Sequence, residues 1–179
     1  MADIQIHDKL FVPYISRERI QQRVDELGAQ ISEDYAGKNP LLIGILNGCF
    51  IFAADLFRSL SIEAEISFIK LASYKGTAST GEVVTAIGME EDIHGRHVII
   101  VEDIIDTGKT LSSFLPELLH RQPSSVKIAT FLTKQGSRQY DVHADYSAFE
   151  IENKFVVGYG LDYDRLGRSL ADLYILKDQ

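Results

Sequence analysis

The chain has 179 residues, 45% hydrophobic and 25% charged, enough for one domain with its own core and too short for two comfortable ones. Lysine and arginine total 18 against 26 aspartates and glutamates, and a net charge of −8 repels phosphate backbones, which disfavours non-specific nucleic-acid binding. Cys49 is the only cysteine, which excludes an intramolecular disulfide and a multi-cysteine zinc site, and no apolar run reaches the ~18–20 residues of a membrane helix. With no signal-peptide-like stretch between Met1 and Lys9, the expectation is a cytoplasmic protein whose residues 1–179 form one domain.

Ser16 is placed to cap a helix whose apolar residues Ile20, Val24, Leu27, Ile31 and Tyr35 recur at steps of three and four. Asn39-Pro40 breaks the chain, and Leu41–Leu46 (LLIGIL) reads as a strand buried on both faces. Gly48 marks a tight turn before a second helix from Phe50 to Leu60. Ile62, Ala64, Ile66 and Phe68 alternate with polar residues, the pattern of a half-buried strand. The stretch Ser73–Glu82 (SYKGTASTGE) is small, polar and glycine-containing, the composition of a plain loop or of an active-site lid. Val83–Ile87 and His97–Val101 read as strands. Leu111, Leu115, Leu118 and Leu119 form a helical stripe in which Pro116 is expected to kink the helix or begin its second part. Val126–Leu132, Phe155–Tyr159 and Leu173–Leu176 supply three more apolar runs. Strands alternating with helices predict an α/β domain with a largely parallel central sheet flanked by helices, whose ligands collect beyond the carboxyl ends of the strands.

The chemistry is concentrated in His97–Leu111 (HVIIVEDIIDTGKTL), where Glu102 and Asp103 end a buried strand and Asp106, Thr107, Gly108, Lys109 and Thr110 open the next helix. A glycine-containing turn at a helix N-terminus points backbone N–H groups outward and suits a phosphate. Gly108-Lys109-Thr110 is not a nucleotide P-loop, because the first glycine of that motif falls on Asp103. Carboxylates this close together fit a ligand that also carries hydroxyls, Mg²⁺ and a centre that turns positive.

This segment resembles the phosphoribosyl-pyrophosphate (PRPP) loop of the purine phosphoribosyltransferases. Leu42–Leu56 (LIGILNGCFIFAADL) resembles the pyrophosphate-binding segment of the 6-oxopurine branch, Ser73-Tyr74 with the STGE stretch its closing lid, and Lys134 with Lys154–Tyr163 (KFVVGYGLDY) its purine pocket. The resemblance, over roughly residues 10–177, implies a type I phosphoribosyltransferase-like fold with a flexible lid and a small hood. It implies transfer of ribose 5-phosphate from PRPP to hypoxanthine or guanine, with Mg²⁺ as cofactor and assembly as a homodimer or homotetramer.

Residue by residue, the resemblance implies that Glu102 and Asp103 meet the ribose hydroxyls and the Mg²⁺ shell, and that Asp106 takes the proton from purine N7. Thr107, Gly108, Lys109 and Thr110 would hold the 5-phosphate; Asn47, Gly48, Ser73, Tyr74 and Arg168 would meet the pyrophosphate. Lys134 would donate to the 6-oxo group, Phe155 would stack on the purine, the Val156 carbonyl would meet its 2-position, and Asp162 would ligate a second Mg²⁺ beside the purine. By pattern alone Phe155 reads as a core aromatic, Lys134 as a solvated lysine, Asp162 as an acidic turn residue and Asp106 as a helix cap. The family often has a basic residue where this chain has Asn47, which leaves backbone recognition at Asn47 and Gly48 without a side-chain charge; the Leu–X peptide there can be cis. The dispersed histidines are expected to be surface or structural, and Cys49 a small buried residue. The second reading is an RNA-binding regulator on the same fold, which requires a local basic patch that −8 disfavours.

Overall fold

Continuous and alternating apolar runs sort the chain into two sheets in the computed structural model, which describes residues 2–73, 83–88 and 90–177. The elements are β1 (Ile4–Ile6), β2 (Lys9–Ile15), α1 (Arg17–Asp34), β3 (Leu41–Leu46), α2 (Phe50–Ser59), β4 (Glu65–Ser73), β5 (Val83–Ile87), β6 (His97–Ile105), α3 (Lys109–His120), β7 (Ser125–Lys134), β8 (Tyr146–Ile151), β9 (Val156–Val157) and β10 (Leu173–Leu176). The larger sheet has the order β5-β4-β3-β6-β7-β8, parallel throughout except for β5, which runs antiparallel along β4 at one edge.

Successive strand residues face opposite sides of a sheet, so a strand covered on both sides must be apolar at every position. In β3, Leu42 joins Ile99, Val101, Ala129 and Phe131 beneath α1 and α2. Leu41, Ile43 and Ile45 join Val98, Ile100 and Ile128 against Leu111, Phe114 and Leu118 of α3 on the other face. Helix α1 begins where expected: the Ser16 hydroxyl accepts from the Arg19 amide at 3.4 Å, and Ile20, Val24, Leu27 and Ile31 are buried.

The smaller sheet, β1-β2-β10-β9, is antiparallel and packs Ile6, Phe11, Val157 and Tyr174 into a core of its own. It is the hood. Its first two strands and β8 had left no sequence expectation, because short strands with mixed faces carry little periodicity.

Four expectations need correction. Strand β4 starts at Glu65, so Ile62 and Ala64 precede it although both pack against the core. Strand β6 runs four residues beyond Val101, paired with the long β7 through Glu102↔Thr130, Ile104↔Leu132 and Ile105↔Thr133. The acids that seemed to end the strand lie within it. Helix α3 runs through Pro116 as one element, so no second part begins there, and Phe114 replaces Leu119, which is 56% exposed, in the buried stripe. The run Phe155–Tyr159 contributes only the two residues of β9, because Gly158, Tyr159 and Gly160 all turn to positive φ.

The fold places a crevice between β3 and β6. These strands are neighbours, but the chain leaves β3 into a helix on one face and β6 into a helix on the other. Their loops diverge, which opens a cleft at the carboxyl edge of the sheet.

Candidate active site

On one side of the crevice, Glu102, Ile104, Ile105 and residues 106–111 line a pocket of about 80 Å³. Gly108 precedes α3 with φ 84°, a conformation that a β-carbon disfavours and that aims the first turn of the helix at the pocket. The turn is braced from outside: the Thr107 carbonyl accepts from the Gln139 and Tyr140 amides at 3.0 and 3.1 Å, and the Ser137 hydroxyl donates to the Asp106 carbonyl at 3.0 Å. Lys109 and Thr110 are exposed at its rim.

Glu102 and Asp103 stand behind this turn. Asp103 accepts from the Ile104 amide at 2.8 Å, whereas Oε2 of Glu102 is buried with no hydrogen-bond partner. Burial first, and the neighbouring Asp103 charge second, push the Glu102 carboxyl well above the usual carboxylate range. A buried carboxylate oxygen without a donor, beside a second carboxylate, suits a cation. Among the described residues no cluster of three or more metal-ligating side chains occurs. Two carboxylates that leave remaining positions to ligand oxygens and water match the habit of Mg²⁺.

The other side of the crevice is the loop after β3. The Leu46–Asn47 peptide is cis, and Asn47 is exposed. Gly48 is pressed so closely on Asp103 that a β-carbon there would run into the carboxylate. Cys49 is fully buried, and burial raises its thiol pKa, which removes it as a nucleophile.

Two further elements complete the cleft. At the end of β7, Lys134 reaches across to Asp106, Nζ to Oδ2 3.2 Å, with the lysine 13% and the aspartate 47% exposed. From the hood side comes the segment 155–168. Phe155 is 44% exposed, its ring 5.8 Å from Tyr163 and 6.2 Å from Phe11. Val156 is buried and pairs with Ile175. Arg168 donates to the Gly160 carbonyl at 2.6 Å and pairs with Asp162 at 2.6 Å; the other oxygen of Asp162 accepts from the Arg165 amide at 2.7 Å. Gly160, at φ 100°, lies against the carbonyl of Gly48, so this segment touches the β3 loop directly.

The structure therefore brings Glu102, Asp103, Asp106–Thr110, Gly48 and Lys134 around one crevice and sets Arg168 and Asp162 against its hood side. Ser73 ends β4 opposite Val83 of β5, and Tyr74, with the rest of 74–82, lies outside the described residues. Gly160, Tyr159 and Asp55, whose contacts join the hood segment to the β3 loop and α2, had no individual role in the sequence. The one available signal was the Gly-Tyr-Gly triplet, where the flanking glycines announce an unusual backbone.

Known proteins resemble this chain along most of its length. The family described as phosphoribosyl transferase domain matches residues 15–164. The hypoxanthine-guanine phosphoribosyltransferase of Streptococcus pneumoniae is 45% identical over 166 residues, 92% of each chain. The hypoxanthine-guanine-xanthine phosphoribosyltransferase of Tritrichomonas foetus is 39% identical over 179 residues, 99% of this chain and 98% of its own. The crystal structure of a hypoxanthine phosphoribosyltransferase from Staphylococcus aureus superposes with a TM-score of 0.88 at 40% identity, covering 93% of this chain and 91% of the other.

Proposed function

Because the chain belongs to the phosphoribosyltransferase family, we propose that it serves purine salvage, moving ribose 5-phosphate from PRPP to hypoxanthine or guanine and releasing pyrophosphate. The observation that carries the choice of base is the Lys134–Asp106 pair. A 6-oxopurine presents an acceptor at position 6 beside an N–H at position 7, and Lys134 and Asp106 offer a donor beside an acceptor. The two edges match. Adenine presents a donor at position 6, which would face the lysine.

In this reading the C1–pyrophosphate bond breaks ahead of attack by the purine nitrogen. Its electrons leave with pyrophosphate, positive charge develops on the ribose, and the purine's N7 proton passes to Asp106. Asp103, and Glu102 once a bound cation offsets the cost of its burial, would orient the ribose hydroxyls and supply the anionic neighbourhood that the ring needs at that moment. The turn from Asp106 to Thr110 holds the 5-phosphate, with the α3 N-terminus behind it. Backbone groups of Asn47 and Gly48, with Arg168, meet the pyrophosphate. Phe155 stacks on the base and the Val156 carbonyl meets its 2-position. Glu102 and Asp103 would hold Mg²⁺, whose charge offsets the pyrophosphate; Asp162 would have to share its carboxylate between Arg168 and a second ion.

Supporting this reading are the acid pair with its unpartnered oxygen and the braced turn before α3. None of the described helices is long and apolar enough to cross a membrane. A cytoplasmic location goes with the reading, as does a homodimer or homotetramer. The comparisons lend nothing to an RNA-binding regulator. A spectrophotometric assay with PRPP, Mg²⁺ and each purine tests the whole: turnover of hypoxanthine or guanine is expected, and turnover of neither overturns it.

A further inference from the structure

Gly158, Tyr159 and Gly160 take φ values of 106°, 47° and 100°. Glycine adopts such angles at little cost, but the tyrosine between them needs support from outside its own backbone. It has three supports. Its amide donates to the Leu170 carbonyl at 2.8 Å, its buried ring lies 4.8 Å from Phe131, and its hydroxyl donates to Oδ2 of Asp55 at 2.8 Å. Burial and that hydrogen bond both raise the Tyr159 phenol pKa, so the hydroxyl stays a donor at any working pH.

Asp55 is on α2, the helix that starts directly after the Asn47–Gly48 turn. The next residue after Tyr159 is Gly160, which backs onto the Gly48 carbonyl and receives Arg168 on its own carbonyl. Tyr159 thus has its backbone in the segment that carries Phe155, Asp162 and Arg168, and its hydroxyl on the helix that carries the β3 loop.

We propose that Tyr159 is a positioning residue whose hydrogen bond to Asp55 sets the spacing between the purine wall and the pyrophosphate loop. The proposal rests on the phosphoribosyl-transfer reading. Tyr159 touches no reacting atom; it acts through the backbone of Gly160 and through Arg168. Most groups that hold PRPP, Glu102, Asp103 and Asp106–Thr110, do not depend on this latch, and the purine meets Lys134 and Asp106 as well as Phe155; only the transition state needs all of them in register. Loss of the latch therefore falls on kcat more than on the affinity for either substrate.

The test uses Tyr159→Phe, Asp55→Ala, their double variant and Asp55→Asn, each measured for kcat, hypoxanthine KM, PRPP Kd and melting temperature. Tyr159→Phe and Asp55→Ala should each lower kcat by about tenfold, the scale of one hydrogen bond. PRPP Kd should stay within about threefold of the parent, and the double variant should be no worse than either single, the mark of one shared interaction. Asp55→Asn keeps an acceptor and should recover kcat to within about threefold. If Tyr159→Phe folds poorly, the contrast between Asp55→Ala and Asp55→Asn carries the test alone. Unchanged kcat in an active protein, additive losses, or a fall in melting temperature without a fall in kcat overturns the proposal alone. A parent protein that turns over neither hypoxanthine nor guanine overturns the transfer reading and this proposal with it.

Discussion

The segments 97–111 and 155–168 both border the crevice and are built in opposite ways. The first is regular: a strand, a turn opened by one glycine, and a helix, its shape held by the β6–β7 ladder and by the bonds of 137–140 to the turn. The second has two strand residues, six positive φ values at Gly158, Tyr159, Gly160, Asp164, Arg165 and Gly167, and side-chain clamps at Arg168, Tyr159 and Tyr163. A regular frame aims a dense set of charges where bonds break. An irregular segment instead carries a shaped surface that must be pinned at several points. Substitutions in the first region should therefore alter chemistry, and those in the second should alter fit and spacing.

Lys134 gives the largest expected effect, because it completes the first region from β7. A buried polar site that meets the wrong hydrogen-bond partner discriminates by roughly 10⁴–10⁵ in kcat/KM. Adenine should therefore be essentially unused, and Lys134→Met should cut hypoxanthine use far more than any residual adenine use. Parallel assays of the two bases check this. Adenine within tenfold of hypoxanthine for the parent protein would mean that position 6 is not being read.

Asp106→Asn should lower kcat by about 10²–10⁴ while leaving PRPP affinity within a few-fold, as for removal of a general base. The same variant loses its ion pair with a mostly buried lysine, so melting must be measured alongside kinetics. Near-normal turnover in a folded variant would leave Asp106 as a brace of the turn and nothing more.

In the second region, Gly160→Ala puts a β-carbon at φ 100° against the Gly48 carbonyl. The backbone cost is on the order of 1–3 kcal/mol, and displacement of the two sides by about 1 Å can cost roughly a hundredfold in rate. The expected signature is a joint fall in melting temperature and kcat. Loss of stability without loss of activity would show that the two sides tolerate misalignment, and the contrast between the regions would fail.

The difference between the segments also decides what the sequence could reveal. Residues 97–111 act through local order: Glu102, Asp103, Asp106 and Gly108 are close in the chain and close in space, so their chemistry was readable without the fold. Even there the strand's true end at Ile105 was hidden, because two acids interrupt an apolar run that the pairing with β7 carries onward. The parallel sheet was legible from LLIGIL and its fellow runs, since burial on both faces leaves no polar position. Asp55 and Tyr159 are 104 residues apart, and nothing local marks either as the other's partner. Phe155 was ambiguous for a related reason, since an aromatic among valines has the same pattern whether it faces a core or a cleft.

That ambiguity supplies the smallest and most discriminating effect. Phe155 is 44% exposed and, among the described residues, meets Phe11 and Tyr163 ring to ring, so Phe155→Leu removes an aromatic face while keeping most of the apolar contact. Stacking of a base on an aromatic ring contributes about 1–3 kcal/mol by alanine substitution, and a leucine retains part of that. A rise in purine KM of about 5–10-fold follows, with kcat near the parent value because the stacked face is present before and during bond breaking. Tyr163→Leu is the matched control: its ring lies edge-on to Phe155, and its hydroxyl is bonded to Asp8 at 2.8 Å, so it should affect the hood more than the base. If Phe155→Leu lowers the melting temperature and leaves purine KM unchanged, the ring belongs to hood packing with Phe11. The irregular segment would then contribute spacing through Tyr159 and charge through Arg168, but no surface for the base.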